Sequence, residues 1–554
     1  MAEQKNPADP EAGSRRSFLK TGASAMAMAT VLPHLSSAQI TERKYDSAAP
    51  SFELAESSAK VLQVTLTAGK FTSRQLVEMY SSQIASLDRQ GPAINSVIEM
   101  NPEAEAIAAH MDAERKAGHV RGPLHGIPVL IKDNIATADK MQTTAGSLAL
   151  VGSRPPQDSA VAAQLRRAGA VILGKTNLSE WANLRSSHAT SGWSGRGGLT
   201  RNPYALDRNP SGSSSGTGAA ITSNLCALGV GTETDGSIVS PSNNCCLVGI
   251  KPTVGLVSRF GIIPISHTQD TAGPMTRTVA DAAALLSALA AVDPADPATA
   301  AAKGHIEPDY TKFLDANGLR GARIGVVRKY AGFIPDVDHL FDEAIASMKR
   351  QGAEVIDPVE IPTIGKFDDA ELLIMLYEFK HGLNKYLAWL GDSAQVRTLQ
   401  DVIQFNEDHR AQEMPFFGQD LFVQAQAKGP LTSEEYVKAL NDCRRLSRAE
   451  GIDAAMDKFK LDALVAPTGS PAWTTDLVNG DHSLGGSSSL AAVAGYPNIN
   501  VPMGEVFGLP VGVSFFGRAW SEAKLIQIAY AYEQATKLRK PPAFLATANL
   551  EVKA

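Results

Sequence analysis

The chain has 554 residues, 44% hydrophobic and 20% charged, an ordinary globular composition that is neither disordered nor coiled coil. A net charge of −6 and a pI near 6.0 exclude a basic face, so no nucleic-acid partner is expected. The four cysteines, Cys226, Cys245, Cys246 and Cys443, are too few for a disulfide framework and lack zinc-ligand spacing.

The first element reads as a targeting segment. Ser14-Arg15-Arg16-Ser17-Phe18-Leu19-Lys20 carries an arginine pair, an alanine-rich apolar stretch runs from Thr21 to Leu35, and Ser36-Ser37-Ala38 offers a small-residue cleavage site. That stretch is shorter than the roughly 20 residues of a spanning helix, so no stable membrane insertion is expected. Residues 1–38 therefore read as a twin-arginine signal peptide, with the twin-arginine translocase as partner during export. The rest, 39–554, is expected as one catalytic domain in the periplasm or outside the cell.

From Phe52 to about Ala117 the pattern is helical, with Thr72 or Ser73 capping a run that includes Leu76, Val77, Met79 and Tyr80. Leu124–Ile131 reads as a buried strand ending in Lys132-Asp133-Asn134. Ser159 caps a helix over Ala160–Ala168, Gly169 stops it, Ala170–Leu173 is again a strand, and Gly174–Asn177 turns into another helix. Ile324–Val327, Asp338–Gln351 and Glu354–Ile356 repeat this alternation. Residues 294–450 form a helix-rich variable insert. Its aromatics Tyr377, Phe379, Tyr386 and Trp389 read either as helix core or as substrate lining. After Asp453 the strand pattern returns in L-D-A-L-V-A-P-T, Y-P-N-I-N-V-P-M and G-L-P-V-G-V-S-F-F-G. Such alternation predicts an α/β fold with a mixed sheet.

Three segments carry chemistry. Around Lys132 the chain reads G-P-L-H-G-I-P-V-L-I-K-D-N, from Asn209 N-P-S-G-S-S-S-G-T-G-A-A, and from Gly229 G-V-G-T-E-T-D-G-S-I-V-S-P. A lysine ending a buried strand, a serine in a glycine-rich loop and a second serine after a turn are the parts of a Ser–Ser–Lys hydrolase. Such an enzyme transfers acyl groups without histidine, metal or cofactor. A serine hydroxyl is a weak nucleophile until a base takes its proton. A lysine in water titrates near about 10.4 and cannot do so, but desolvation lowers that value toward neutrality. Lys175, after V-I-L-G, has a similar local setting, so strand position alone does not choose between the two. Thr234-Asp235-Gly236 forms a tight turn before Ser237 that can aim backbone N–H groups at an oxyanion, one such donor being worth about 2.7–4 kcal/mol. Gly212–Gly216 also satisfies G-x-S-x-G, but the turn-rich Arg201–Pro210 ahead of it lacks the strand a nucleophile elbow needs.

These motifs, together with V-G-I-K-P-T (Val248–Thr253), D-T-A-G-P-M (Asp270–Met275) and G-L-P-V-G-V-S-F (Gly508–Phe515), make the chain resemble the amidase signature family from about Phe52 to Thr536. E-T-D-G-S-I, K-P-T-V-G-L-V-S-R (Lys251–Arg259) and Y-A-Y-E-Q-A-T (Tyr530–Thr536) are similar to its bacterial peptide amidase branch. The resemblance implies a central mixed twisted β-sheet covered on both faces by helices, and a Ser–cisSer–Lys triad. Ser237 would be the acyl-forming nucleophile, Lys132 the base, and Ser213, after a cis Gly212–Ser213 peptide, the bridge between them. Ser214 would orient the loop, and Thr234, Asp235 and Gly236 would bind substrate and oxyanion. The chain departs from the family pattern at Ser211, Ser215, Glu233, Asp235, Val239 and Cys246.

The expected function is an exported serine amidohydrolase, monomeric or homodimeric, acting on peptide C-terminal amides. Aryl or aliphatic acylamidase and carbamate hydrolase are the alternatives. The tRNA-dependent amidotransferase has a catalytic component that shares the signature, but it works in the cytoplasm. A leaving-group pocket is expected near Trp181 and Pro467–Trp473, unless both tryptophans are core. The vicinal Cys245 and Cys246 read as two buried thiols.

Overall fold

The structure, a computed structural model, describes residues 52–551, and the expected signal segment lies outside them. Among the described residues thirteen strands form: β1 (Val97–Met100), β2 (Pro128–Lys132), β3 (Val171–Thr176), β4 (Trp193–Ser194), β5 (Gly198–Leu199), β6 (Leu228–Glu233), β7 (Val248–Lys251), β8 (Thr271–Thr276), β9 (Arg323–Val326), β10 (Glu354–Ile356), β11 (Ala463–Pro467), β12 (Asn498–Val506) and β13 (Leu509–Phe516). β4 and β5 pair with each other. The other eleven make one sheet in the order β1-β3-β2-β6-β8-β7-β12-β13-β11-β9-β10. β2 runs parallel to β3 and β6, and β9 runs parallel to β10 and β11. The remaining pairs are antiparallel, so the sheet is mixed, and helices flank it. Every residue of β2, β3 and β6 is buried. Parallel strands covered on both faces read as continuous apolar runs, which is why these show so plainly in the sequence.

Local signals set several boundaries. Thr72 caps Ser73–Gln83 through a reciprocal box with Gln75. Ser159 Oγ accepts from Ala162 N and starts Ala160–Arg167. Three expectations need correction. The stretch before Ala117 is not all helix, because V-I-E-M forms β1 along the open side of β3. Four residues give too little periodicity to announce a strand, and the partner strand decides it. β2 begins at Pro128, since Leu124–Ile127 closes a turn in which Ile127 N donates to Leu124 O. β3 runs on through Gly174 to Thr176 rather than turning there. A Cβ on Gly174 would lie 2.4 Å from Glu99 O, so this glycine admits β1 against β3.

The insert builds a second core together with residues such as Leu178, Trp181 and Ile263 from outside it. Phe379, Leu383 and Leu387, from the helix Asp368–Leu390, pack with Leu421 and Phe422 from the helix Asp420–Gln426. Phe379 stacks on Phe422 with centroids 5.0 Å apart. Tyr377 and Tyr386 are buried, and Trp389 meets Phe260 edge to face. The aromatic cluster is therefore core. All four cysteines are buried and free. No helix among the described residues is long and apolar enough to cross a membrane.

A buried ionic knot joins the insert to the sheet side. Arg185, wholly enclosed, donates to the Glu180 carboxylate and to Glu413 O, and its guanidinium lies 4.3 Å from the Phe417 ring centre. Glu413 Oε1 in turn accepts from Leu148 N at 2.6 Å. Removing one partner of such a knot strands buried charge, so Arg185→Ala is expected to lower unfolding stability by about 3–5 kcal/mol, read from the denaturant midpoint.

Candidate active site

The site grows from the carboxyl ends of two parallel neighbours, β2 and β6, the end of an α/β sheet where loops converge. Their register pairs Val129 with Leu228, Leu130 with Gly229 and Ile131 with Val230. Continued by one residue, this register sets Lys132 opposite Gly231, next to Thr232. Its Nζ lies 3.0 Å from Thr232 Oγ1, 3.3 Å from Thr232 O and 2.7 Å from Ser213 Oγ. Asn134 Nδ2 also donates to Thr232 Oγ1, at 3.0 Å.

Ser213 and Ser214 stand just ahead of the helix Ser215–Thr222, whose chain leads into β6. The Gly212–Ser213 peptide is cis. Ser214 fastens this loop to β6: its Oγ donates to Thr232 O and accepts from Thr232 N. Its own N–H donates to Ser237 O at 3.2 Å. The loop, β6 and the turn after β6 are thus tied at one point.

Ser237 follows Gly236, whose φ of +78° gives the turn its left-handed residue. Glu233 Oε2 accepts from Ile238 N at 2.7 Å and Val239 N at 3.0 Å, satisfying the first N–H groups at the helix Val239–Asn244. Among the described residues, the N–H groups of Thr234, Asp235, Gly236 and Ser237 have no protein acceptor. Four successive donors therefore remain available beside one hydroxyl. Asp235 is held by Ser489 Oγ at 2.7 Å, and Thr234 Oγ1 donates to Asp270 Oδ1 at 2.6 Å.

Burial is graded across the three side chains. Lys132 and Ser213 are 0% exposed, while Ser237 is 8% exposed. Enclosure pulls the Lys132 amine from 10.5 down to about 7, and the charges of Glu233 and Asp270 only partly oppose this. Burial likewise pushes the Asp270 carboxyl up to about 6. The arrangement can hold a neutral amine against one serine, with a second, more accessible serine beside free N–H donors.

Geometry separates the two lysines that sequence could not. Lys175 is equally buried and lowered to about 8, but its Nζ donates to Ile135 O and to Thr143 Oγ1 at 2.9 Å, not to a serine of the loop. A third buried lysine, Lys251, is also lowered to about 8 and donates to Pro252 O. Thr232, Asn134 and Asp270 lie in the motifs but are given no role at the site by sequence. Thr232 reaches Lys132 only through the β2–β6 pairing, which no local motif announces. Trp181 is buried edge to face against Phe422 in the insert's core, and half-buried Trp473 donates from Nε1 to Asp481.

The Amidase family model matches residues 75–526. The chain belongs to the amidase family. It is similar to the peptide amidase of Stenotrophomonas maltophilia, with 53% identity, a TM-score of 0.85, and coverage of 89% of this chain and 99% of that one. A protein of Arabidopsis thaliana named as a probable amidase is 45% identical over 505 residues, 90% of this chain and 93% of its own. A glutamyl-tRNA(Gln) amidotransferase chain of Pseudomonas syringae is 32% identical over 475 residues, 84% and 95% of the two chains. The protein is thus an amide-hydrolysing enzyme.

For this amidase the buried amine has a stability cost whose pH dependence has a definite sign. With the folded value lowered, the unfolded chain binds more protons between about pH 7 and pH 10.5. The penalty is complete below about 7, shrinks as pH rises through that window, and is gone above it. Lys132→Met should therefore raise unfolding stability at neutral pH, on the order of 1–2 kcal/mol. Urea melts at increasing pH should show the gap to wild type closing.

Proposed function

We propose that this amidase is an exported serine amidohydrolase that removes the C-terminal carboxamide of peptides through an acyl-enzyme on Ser237. The observation that carries this is the enclosed 2.7 Å contact of a lysine amine lowered to about 7 with Ser213, beside the turn that bears Ser237 and four free N–H donors. Neutral Lys132 takes the proton of Ser213 as Ser213 takes that of Ser237, and Ser237 Oγ adds to the amide carbon. The carbonyl pair moves onto oxygen, where N–H groups from Thr234–Ser237 receive it. Ser213 then delivers the proton to nitrogen and takes its own back from Lys132, the C–N bond breaks and ammonia leaves. Water, activated the same way, cleaves the ester to acid. Likeness to the Stenotrophomonas maltophilia enzyme, a peptide amidase, supports the peptide substrate.

An amidated peptide, its free-acid twin and a set of anilides, followed by mass spectrometry, test the substrate. Conversion of the amide to the acid with internal bonds intact is expected, and cleavage confined to anilides would leave only an acylamidase. Ser237→Ala should lower turnover by at least about 10³-fold. The rate should rise with pH through a value near 7 as Lys132 loses its proton.

Export rests on Arg15-Arg16 ahead of the apolar stretch. With both arginines replaced by lysine, a longer precursor should accumulate in the cytoplasm. An unchanged level of mature enzyme outside the cytoplasm would refute export.

A further inference from the structure

Several buried carboxylates take no part in the chemistry above, and three of them lie in series. Glu378, on the helix Asp368–Leu390 of the insert, is 1% exposed. Its Oε2 accepts from Ser266 Oγ at 2.6 Å, Thr268 N at 3.0 Å and Thr268 Oγ1 at 3.1 Å, with His267 Nδ1 at 3.3 Å. Its Oε1 accepts from Tyr436 OH at 2.6 Å. Two turns earlier on the same helix, Glu371 Oε1 accepts from Gln269 Nε2 at 2.7 Å. Every residue from Ser266 to Gln269 is thus held by this one helix face.

The next residue is Asp270. Its Oδ2 accepts from Ile265 N at 2.8 Å and Ser266 N at 2.9 Å, closing the loop on itself. Its Oδ1 receives Thr234 Oγ1 at 2.6 Å. Thr234 opens the run of four free N–H groups that ends at Ser237. Packing alone does not call for this: apolar residues of similar volume dock a helix as well as buried charge does. Glu378 and Asp270 each gather several donors and Glu371 takes one; bonds of this kind fix direction, and direction is what a set of oxyanion donors needs.

We propose that Glu378, Glu371 and Asp270 are positioning residues through which the insert sets the oxyanion turn, by way of the Thr234 hydroxyl. This rests on the reading of Thr234–Ser237 as the oxyanion site. The insert thereby acts on the reaction step, and substrate binding in the ground state is left to other surfaces. Removing the Thr234 hydroxyl cuts the last link without touching the insert. Replacing Glu378 by glutamine puts an N–H₂ where only donors converge, loosening the first link.

The experiment uses Thr234→Val, Thr234→Ser and Glu378→Gln in the full enzyme, with Ser237→Ala as control. Each is measured for kcat and KM on an amidated peptide, for inhibition by the matching peptide aldehyde, and for inhibition by the matching peptide alcohol. The aldehyde adds to the serine and places an oxyanion in the turn, whereas the alcohol binds without one. Thr234→Val and Glu378→Gln should lower kcat by about 10-fold to 100-fold with KM little changed. Aldehyde inhibition should weaken in proportion to kcat and alcohol inhibition should stay constant, while Thr234→Ser restores wild-type values. Should Glu378→Gln fail to fold, Thr234→Val alone decides. The relay is overturned if Thr234→Val matches wild type in kcat and aldehyde affinity, or if alcohol and aldehyde affinities fall together. A Ser237→Ala enzyme that keeps turnover, or a wild type that forms no aldehyde adduct, overturns the serine reading itself and the relay with it.

Discussion

The site hangs on an amine surrounded by neutral oxygen. Lys132 Nζ has a serine hydroxyl, a threonine hydroxyl and a backbone carbonyl as partners, and no carboxylate bonded to it. A carboxylate at that distance would hold the amine charged and unable to accept a proton. Enclosure without a counter-ion does the opposite, and the value near 7 follows from it. Such enclosure demands walls that do not yield. The fully buried strands β2, β3 and β6, bonded in parallel, supply them.

Around this amine the carboxyl groups act mostly as ties for backbone. Glu233 takes two N–H groups that open the helix Val239–Asn244. Glu413 takes Leu148 N, Glu522 takes Thr253 N at 2.6 Å, and Asp270 takes two loop N–H groups. Each tie consumes donors that would otherwise be buried unmet at a cost of about 1–3 kcal/mol. The same ties decide which donors are left over. Because Glu233 claims the N–H groups after Ser237, those of Thr234 through Ser237 stay unclaimed beside the hydroxyl.

Much of this is legible in the sequence because it is local. A lysine ending an apolar run, serines among glycines and caps at Thr72 and Ser159 each state their role within a few residues. What stays hidden joins distant segments. Thr232 meets Lys132 across 100 residues, and Glu378 meets Thr268 across 110. β1 owes its form to β3, and Gly174 reads as a turn residue because only the passing backbone of Glu99 explains it otherwise. Lys132 and Lys175 share a strand-end setting, and only the facing β6 and serine loop tell them apart.

The departures from the family pattern become intelligible at the same level. Ser211 and Cys246 stand where glycines are usual, and both backbones are left-handed, with φ of +63° and +53°. Such a residue costs roughly 1–2 kcal/mol relative to glycine, and the surroundings offset it. Asn209 Oδ1 accepts from Ser211 N, and Ser215 Oγ donates to Ser211 O at 2.6 Å. Ser211 and Ser215 are therefore one change rather than two, the second hydroxyl holding the carbonyl of the first. Arg539 Nη1 does the same for Cys246 O at 2.8 Å. Asp235 needs no such support, since its backbone is not left-handed. Burial pushes its carboxyl above the ordinary value, and its Oδ2 accepts from Ser489 Oγ, so the turn keeps its donors. None of these four side chains takes an N–H group of Thr234–Ser237, which stay free beside Ser237.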